Sequence, residues 1–320
     1  MHTLIRGPVA AWLLACTLLL SLSGCVFEKE YKSLPPVYPS ANTTDTSSPD
    51  SGSITVQTSW LDYKVIAHAM GCVRGRVATN SKDAFLEGYQ MGQRVFEVDL
   101  QLTSDGALVA RHDWEQISYY NLEQDGAGVM DLETFLSTPI CFYYTPLDVN
   151  GLVALMQEYP DVYFVTDSKD SDEATVRSQT QKIAQAIANT GDASLWDRII
   201  VQIYSEEMYG WIRDEAPVTN WIFTLYQILA PDYDAIGAFC QKNGIPVITV
   251  EANRLSKSTA DTVHSYGCKL YVHTVNRLIA MRAMSWAADG FYSDYVTPEQ
   301  WAGVAAGTSI PYLSPPAEQP

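Results

Sequence analysis

Short apolar runs alternate with amphipathic stretches along most of this chain. The runs are six to nine residues long and rich in β-branched and aromatic side chains, which predicts strands. Between them, apolar residues recur every three or four positions, which predicts helices. The predicted strands are 63–70, 95–103, 162–169, 198–205, 221–227, 246–253, 269–276 and 290–295. The predicted helices are 81–91, 172–189, 206–214, 232–243, 256–266 and 277–287, with Asn80, Ser256 and Thr297 as N-caps.

This alternation predicts an α/β fold with a parallel sheet, and eight strands are the number that closes a (β/α)8 TIM barrel. An open doubly wound sheet is the alternative, but no GxGxxG follows the first strand. Residues 104–160 interrupt the alternation, which predicts an insertion after the second strand with short helices near 131–136 and 149–158. Insertions at the carboxyl ends of barrel strands commonly hold substrate pockets.

The N-terminus has the pattern of a targeting segment. Arg6 precedes an apolar run over residues 9–22, which is typical of a secretory signal. The run ends in Leu22-Ser23-Gly24-Cys25, which resembles the signal of bacterial lipoproteins. That resemblance implies that residues 1–24 are removed and that Cys25 is lipidated. An ordinary signal peptide is the alternative.

The composition of residues 25–320 predicts a tether, a folded domain and a tail. Residues 25–58 are rich in Ser, Thr and Pro, which predicts a disordered tether with a reach of roughly 30 Å. The folded domain is expected over residues 59–310, followed by a tail over 311–320. We therefore expect an exported protein, anchored by lipid to a bacterial membrane on its extracellular or periplasmic side.

Charge and cysteine content narrow the function classes. The 37 acidic residues outnumber the 20 Lys and Arg, which argues against nucleic-acid binding. An anionic substrate would then need a metal ion or a few placed cations to offset repulsion. The cysteines of the folded part, which are Cys72, Cys141, Cys240 and Cys268, contain no CxxC pair, which argues against zinc. Disulfides and buried thiols both remain open.

Polar residues gather where the predicted strands end. Glu97 and Asp99 lie two residues apart on the second strand, so both side chains face the same side. Such carboxylates suit a hard cation. His68 and His112 follow neighbouring strands and are suited to act as general acid and base. Other polar residues at this rim are Asp167, Lys169, Gln202, Tyr204, Tyr226, Glu251, Asn253, His273, Asn276 and Asp294.

The order of these motifs resembles the glycerophosphodiester phosphodiesterase family. The first half reads His68, Phe96-Glu97-Val98-Asp99 and Arg111-His112-Asp113. Segments 167–169, 272–276 and 289–294 also resemble family motifs, so the resemblance spans about residues 63–300. It implies a metal-dependent (β/α)8 barrel that hydrolyses glycerophosphodiesters to glycerol 3-phosphate and an alcohol.

The resemblance also implies individual roles. His68 and His112 would be the acid/base pair. Glu97, Asp99 and Asp167 would bind one Mg²⁺ or Ca²⁺. Lys169 would bind the phosphate of a small-molecule or lipid-derived phosphodiester. Asp294 is expected to support the site by hydrogen bonds without binding the metal.

Several positions depart from the family pattern. Ala69 stands where the family usually has a phosphate-binding arginine, and Arg74, Arg76 and Arg111 are candidates to replace it. The third metal ligand, Asp167, is an aspartate where the family has a glutamate. Thr79 stands where the family has an acidic residue. His273 stands where the family has a tryptophan and is expected to line the substrate pocket.

These departures leave alternatives open. Sphingomyelinase-D-like and phosphatidylinositol-specific phospholipase-C-like enzymes use related barrels and histidine pairs. A surface lipoprotein that binds a phosphodiester without cleaving it is a further alternative, favoured by the missing arginine and the shortened third ligand. The sequence leaves open the alcohol head group, the choice between Mg²⁺ and Ca²⁺, and the oligomeric state.

Overall fold

Eight parallel strands close into a barrel in the computed structural model, which describes residues 59–114 and 128–306. Each barrel strand pairs with its neighbours in chain order, and the first strand pairs with both the eighth and the second. Numbering only these barrel strands, they are β1 Val65–Ala67, β2 Val95–Leu102, β3 Tyr163–Asp167, β4 Ile199–Ile203, β5 Asn220–Thr224, β6 Val247–Glu251, β7 Lys269–His273 and β8 Gly290–Ser293. The (β/α)8 prediction is confirmed. The predicted signal, Cys25, the tether and the tail lie outside the described residues.

Helices surround the barrel and connect its strands. They are Lys82–Gln90, Leu132–Ser137, Val149–Glu158, Glu173–Thr190, Glu206–Glu215, Tyr233–Asn243, Lys257–Ser265, Leu278–Met284 and Pro298–Ala305. Ser256 and Thr297 cap helices as predicted. The prediction for Asn80 is wrong, because the hydroxyl of Ser81 accepts the capping hydrogen bond from the Ala84 amide at 3.2 Å. Among the described residues, no helix has the length and apolar character needed to cross a membrane.

The segments after β1 and β2 depart from simple βα connections. β1 is shorter than predicted, because Ala69 and Met70 adopt left-handed backbone angles and a 3-10 turn replaces the strand end. A two-stranded hairpin, Cys72–Val73 with Arg76–Val77, follows this turn. After β2, the predicted insertion is confirmed, and its strand Leu108–Ala110 pairs antiparallel with the end of β2.

The barrel interior is layered. Near the amino ends of the strands, one apolar side chain per strand fills the lumen, and the indole of Trp60 packs against them from below. Trp60 donates a hydrogen bond from Nε1 to Asn220 Oδ1 at 3.1 Å. The apolar layer consists of Ile66, Val95, Val165, Ile200, Ile222, Val247, Tyr271 and Tyr292. Because side chains alternate along a strand, the residues two positions further on also face the lumen.

Every one of those next residues is polar, and together they form the floor of a site that opens at the carboxyl ends of the strands. They are His68, Glu97, Asp167, Gln202, Thr224, Thr249, His273 and Asp294. The opposite faces of the strands pack against the helices in a larger apolar core. Cys141, Cys240 and Cys268 are buried in that core, and Cys72 is half-buried.

The apolar layer predicts an effect on stability. A Cβ added at Gly290 would lie 2.5 Å from the buried ring of Tyr271. We expect Gly290→Ala to lower the free energy of unfolding by about 1–3 kcal/mol, because the ring has no space into which to move. Urea denaturation measures this.

Gly210→Ala is the matched control. Gly210 lies inside the helix Glu206–Glu215, and a Cβ there has no atom within 4 Å. We expect this change to be neutral or to stabilise by up to about 1 kcal/mol, because alanine favours helix. Equal destabilisation by both substitutions would contradict the role given to the layer.

Candidate active site

Three buried carboxylates meet on the polar floor of the barrel. Glu97, Asp99 and Asp167 each offer an oxygen atom, and these atoms lie within 4.8 Å of one another. Asp99 and Asp167 are direct partners in the β2–β3 ladder, and Glu97 shares the lumen-facing side of β2. Each of the three is no more than 3% exposed. The predicted ligand set is therefore brought together.

Lys169 supplies a positive charge to this cluster. Its Nζ lies 2.7 Å from Asp99 Oδ1 and 2.5 Å from Asp167 Oδ2. Burial raises the pKa of Asp99, but the charges of Lys169, His112 and His68 outweigh it and hold that pKa below its usual range. Burial and the neighbouring Asp99 charge raise the pKa of Glu97 well above its usual value.

The donor set fits a divalent cation. Three carboxylates without nitrogen or sulfur ligands favour a hard ion such as Mg²⁺ or Ca²⁺. One ammonium offsets one of the three negative charges, so a further positive charge would relieve the repulsion that raises the pKa of Glu97. The shorter side chain of Asp167 does not remove it from the cluster.

Backbone strain beside the cluster supplies two supporting contacts that the sequence did not indicate. Ala69, at φ 45°, directs its amide N–H to Glu97 Oε2 at 2.5 Å. Asn80, at φ 49°, donates from Nδ2 to Asp99 Oδ2 at 2.7 Å, and its Oδ1 accepts from the Asp99 amide at 3.0 Å. Asparagine tolerates left-handed backbone better than most residues, which is the signal that points to this role for Asn80.

His68 is held by a chain of hydrogen bonds. Its Nδ1 lies 2.7 Å from Asp294 Oδ1, and Asn276 Nδ2 donates to the other oxygen of Asp294 at 2.5 Å. Burial alone would lower the pKa of His68. The bond to Asp294 and the charges of Glu97 and Asp99 outweigh burial and raise that pKa to about 9. His68 is therefore protonated near neutral pH, and the supporting role predicted for Asp294 is confirmed.

His112 approaches the cluster from the insertion. The amide of Arg111 donates to the Asp99 carbonyl at 2.9 Å, which fixes the next residue over the end of β2. Nδ1 of His112 lies 2.7 Å from Asp113 Oδ2. The charges of His112 and His68 both act on Asp99, so both predicted catalytic histidines lie near this carboxylate.

The candidate arginines occupy other positions. Arg111 is buried, its guanidinium lies 4.8 Å from the Trp114 ring, and its Nε donates to the Asp113 carbonyl, so it supports the His112 segment. Arg74 and Arg76 lie on the exposed hairpin after β1. Their roles in substrate binding remain predictions.

His273 forms part of the lumen wall at the end of β7. Its ring lies between those of Tyr226 and Tyr292, at centroid distances of 5.7 and 6.1 Å. Its Nε2 is buried and has no hydrogen-bond partner among the residues described. Burial and the charges of His68 and Lys169 lower the pKa of His273 to about 4, so it is neutral near pH 7.

A wider comparison assigns the family. The sequence profile of the glycerophosphoryl diester phosphodiesterase family matches residues 73–297. The chain belongs to the glycerophosphoryl diester phosphodiesterase family. It is thus an enzyme of phosphodiester hydrolysis. The family is metal-dependent, and the buried acidic cluster of this chain could bind a metal ion.

Solved structures share the fold. A glycerophosphodiester phosphodiesterase from Parabacteroides distasonis is similar at a TM-score of 0.59 and 16% identity, covering 76% of this chain and 97% of that one. A phosphodiesterase from Oleispira antarctica in complex with the product sn-glycerol-3-phosphate is similar at a TM-score of 0.60 and 13% identity, covering 76% and 96%. At these identities the similarity shows the barrel fold.

The carboxylate cluster predicts metal-dependent stabilisation. We expect Mg²⁺ or Ca²⁺ to raise the melting temperature, because an ion bound only by the folded state stabilises it by about 2.7 kcal/mol at a hundredfold excess over Kd. Asp167→Asn should abolish most of the shift, as measured by thermal denaturation with and without the ion. Asp161→Asn is the matched control, since Asp161 is exposed and pairs with Arg94 at 2.6 Å. Equal shifts in both variants would contradict the site.

The His68–Asp294 contact predicts a change in pH dependence. Asp294 raises the pKa of His68, so Asp294→Asn should lower it toward its ordinary value of about 6.5. If protonated His68 is needed for turnover, activity is lost as pH rises through that pKa. The alkaline limb of the kcat profile should then move to lower pH in the variant. An unchanged limb with a uniformly lower kcat would show a merely structural contact.

Proposed function

We propose that this enzyme hydrolyses glycerophosphodiesters to glycerol 3-phosphate and an alcohol, using one divalent cation, Mg²⁺ or Ca²⁺, and two histidines. The observation that supports this proposal is the cluster of three buried carboxylates, with His68 and His112 near enough for their charges to act on Asp99. When bound by Glu97, Asp99 and Asp167, the ion would neutralise phosphate charge as a Lewis acid.

The two histidines divide the proton transfers. His112 accepts the proton of the attacking glycerol hydroxyl, which forms a bond to phosphorus. His68, protonated because of Asp294, gives its proton to the oxygen of the departing alcohol as the P–O bond breaks. The product of this step is a cyclic phosphate, which water then opens. In that second step His68 accepts a proton from the water and His112 donates its proton to the glycerol oxygen that leaves, which restores both protonation states.

Lys169 is the main protein group proposed to bind the phosphate. Its ammonium is held at the cluster by two aspartates, so it is positioned for an anionic oxygen that binds there. The position of the family arginine is occupied by Ala69, whose side chain is fully buried and whose amide serves Glu97. Lys169 and the ion are therefore the groups proposed to bind the phosphate, and Arg74, Arg76 and Arg111 remain candidates to contribute.

The location is proposed from the N-terminal sequence. The signal-like residues 1–24, with Cys25 at their end, support export and lipid anchoring outside the cytoplasmic membrane. The substrate would then be a small or lipid-derived phosphodiester at that surface. The phospholipase alternatives and the inactive binding protein are tested by the same assays.

Histidine substitutions test the reaction. We expect His68→Ala and His112→Ala each to lower kcat on glycerophosphocholine by about 10²- to 10⁴-fold, because each removes one proton transfer. Coupled assays of the released glycerol 3-phosphate or choline, with added Mg²⁺ or Ca²⁺, measure this.

His264→Ala is the matched control and should retain activity. His264 is exposed on a helix and pairs with Asp289 at 2.8 Å, away from the cluster. Metal-dependent binding of diesters without turnover in the unsubstituted enzyme would instead favour the binding protein. Turnover of intact phospholipids but not of glycerophosphodiesters would favour the phospholipases.

A further inference from the structure

A tight turn in the insertion projects two aromatic rings into solvent. Phe142 and Tyr143 are 71% and 77% exposed. Their neighbours Ile140, Cys141 and Tyr144 are buried and anchor the turn, in which the Ile140 amide donates to the Tyr144 carbonyl at 2.9 Å. The exposure of the two rings is therefore imposed by a fixed backbone rather than by a loose loop.

Two arginines lie near this turn. The hydroxyl of Tyr144 donates to the Val73 carbonyl at 3.4 Å, so the turn packs on the hairpin that carries Arg74 and Arg76. Burial raises the pKa of Tyr144, and the charges of both arginines act to lower it, so their positive charge lies near the base of the turn. Two acidic residues are neighbours, since Glu87 accepts from the Arg74 amide at 3.3 Å and Asp83 accepts from the Thr145 amide at 2.6 Å. We call Phe142, Tyr143, Arg74 and Arg76 the aromatic–arginine patch.

The patch lies on the face of the barrel that carries the active site. The hairpin follows the turn at the carboxyl end of β1, and the aromatic turn belongs to the insertion after β2. Trp60 marks the opposite face, because it closes the amino ends of the strands. The chain therefore enters the barrel at the end away from the patch.

We propose that the aromatic–arginine patch docks on the surface of a phospholipid bilayer that contains anionic lipid. Aromatic rings favour the interfacial region of a membrane, and arginines are attracted to anionic lipid. The whole chain has a net charge of −17, so such a membrane repels the chain as a whole, and a site with two exposed rings and two arginines would orient it. The proposal rests on the proposed membrane location.

The length of the N-terminal segment permits this orientation. About 33 residues separate Cys25 from the barrel, with a fully extended length of roughly 110 Å. A barrel strand of eight residues is only about 26 Å long. A protein anchored at Cys25 can therefore turn its active-site mouth toward the membrane, although the chain enters at the other end. Diesters released from lipids would then enter the site directly.

Photo-crosslinking tests the docking. Benzoylphenylalanine is placed at Tyr143 in the full chain, which is bound to vesicles of phosphatidylcholine and phosphatidylglycerol at about 7:3, recovered by flotation and irradiated. The same probe at Trp286 is the control, since Trp286 is 61% exposed in the segment that precedes β8 at the opposite face. We expect at least about fivefold more lipid adduct at position 143, as measured by mass spectrometry, and less in vesicles without anionic lipid.

Other outcomes overturn the proposal. These are equal lipid adducts at both positions, adducts at position 143 to protein alone, or failure of the chain to float with the vesicles. Phe142→Ser with Tyr143→Ser should leave turnover of soluble glycerophosphocholine unchanged while lowering turnover of diesters held in vesicles. If the unsubstituted enzyme turns over neither substrate, the proposed function is wrong. Failure of the proposed function is therefore distinguishable from failure of the docking proposal.

Discussion

The burial of three carboxylates inside the barrel is the constraint on which the rest of the site depends. Each ionised carboxylate loses several kcal/mol of solvation in a dry interior unless charge or hydrogen bonds replace the water. Around Glu97, Asp99 and Asp167 the structure places an ammonium, a backbone amide and an amide side chain. These groups still leave the pKa of Glu97 raised, because burial and the neighbouring Asp99 outweigh them. A bound cation would complete the compensation, so the cluster could hold a metal ion.

Three of the eight non-glycine residues with a positive φ in the described part of the chain deliver this compensation. Ala69, Asn80 and Lys169 are not glycines, yet each adopts a positive φ. Such a conformation costs of order 1–3 kcal/mol at a site that the surrounding structure fixes. Each of the three directs a donor or a positive charge to a buried carboxylate. The cost of the strained backbone is offset by electrostatic contacts that a relaxed backbone would not form.

The repeating parts of this structure were predictable, and the long-range polar contacts were not. Period-two alternation identifies a strand and its facing side chains from a few neighbours, so eight strands and the cluster of Glu97, Asp99 and Asp167 followed from the sequence. The contact of His68 with Asp294 spans 226 positions and depends on barrel closure. Asn80 looked like a cap because a capping residue and a left-handed asparagine share local signals. The contact of Ala69 with Glu97 uses the backbone amide, so no side chain in the sequence indicates it.

The same alternation of side chains along the strands also determines which end of the barrel the polar floor faces. The apolar layer around Tyr271 and Trp60 fills the lumen below the polar floor, so in the part of the chain that the structure describes this floor faces the carboxyl ends of the strands. Charge is unevenly distributed there, because His68 is cationic whereas burial and the charges of His68 and Lys169 hold His273 neutral. Lys169 and His68 make one part of the floor positive, and the ring of His273 with those of Tyr226 and Tyr292 makes another part uncharged. This asymmetry would orient an anionic molecule at the floor.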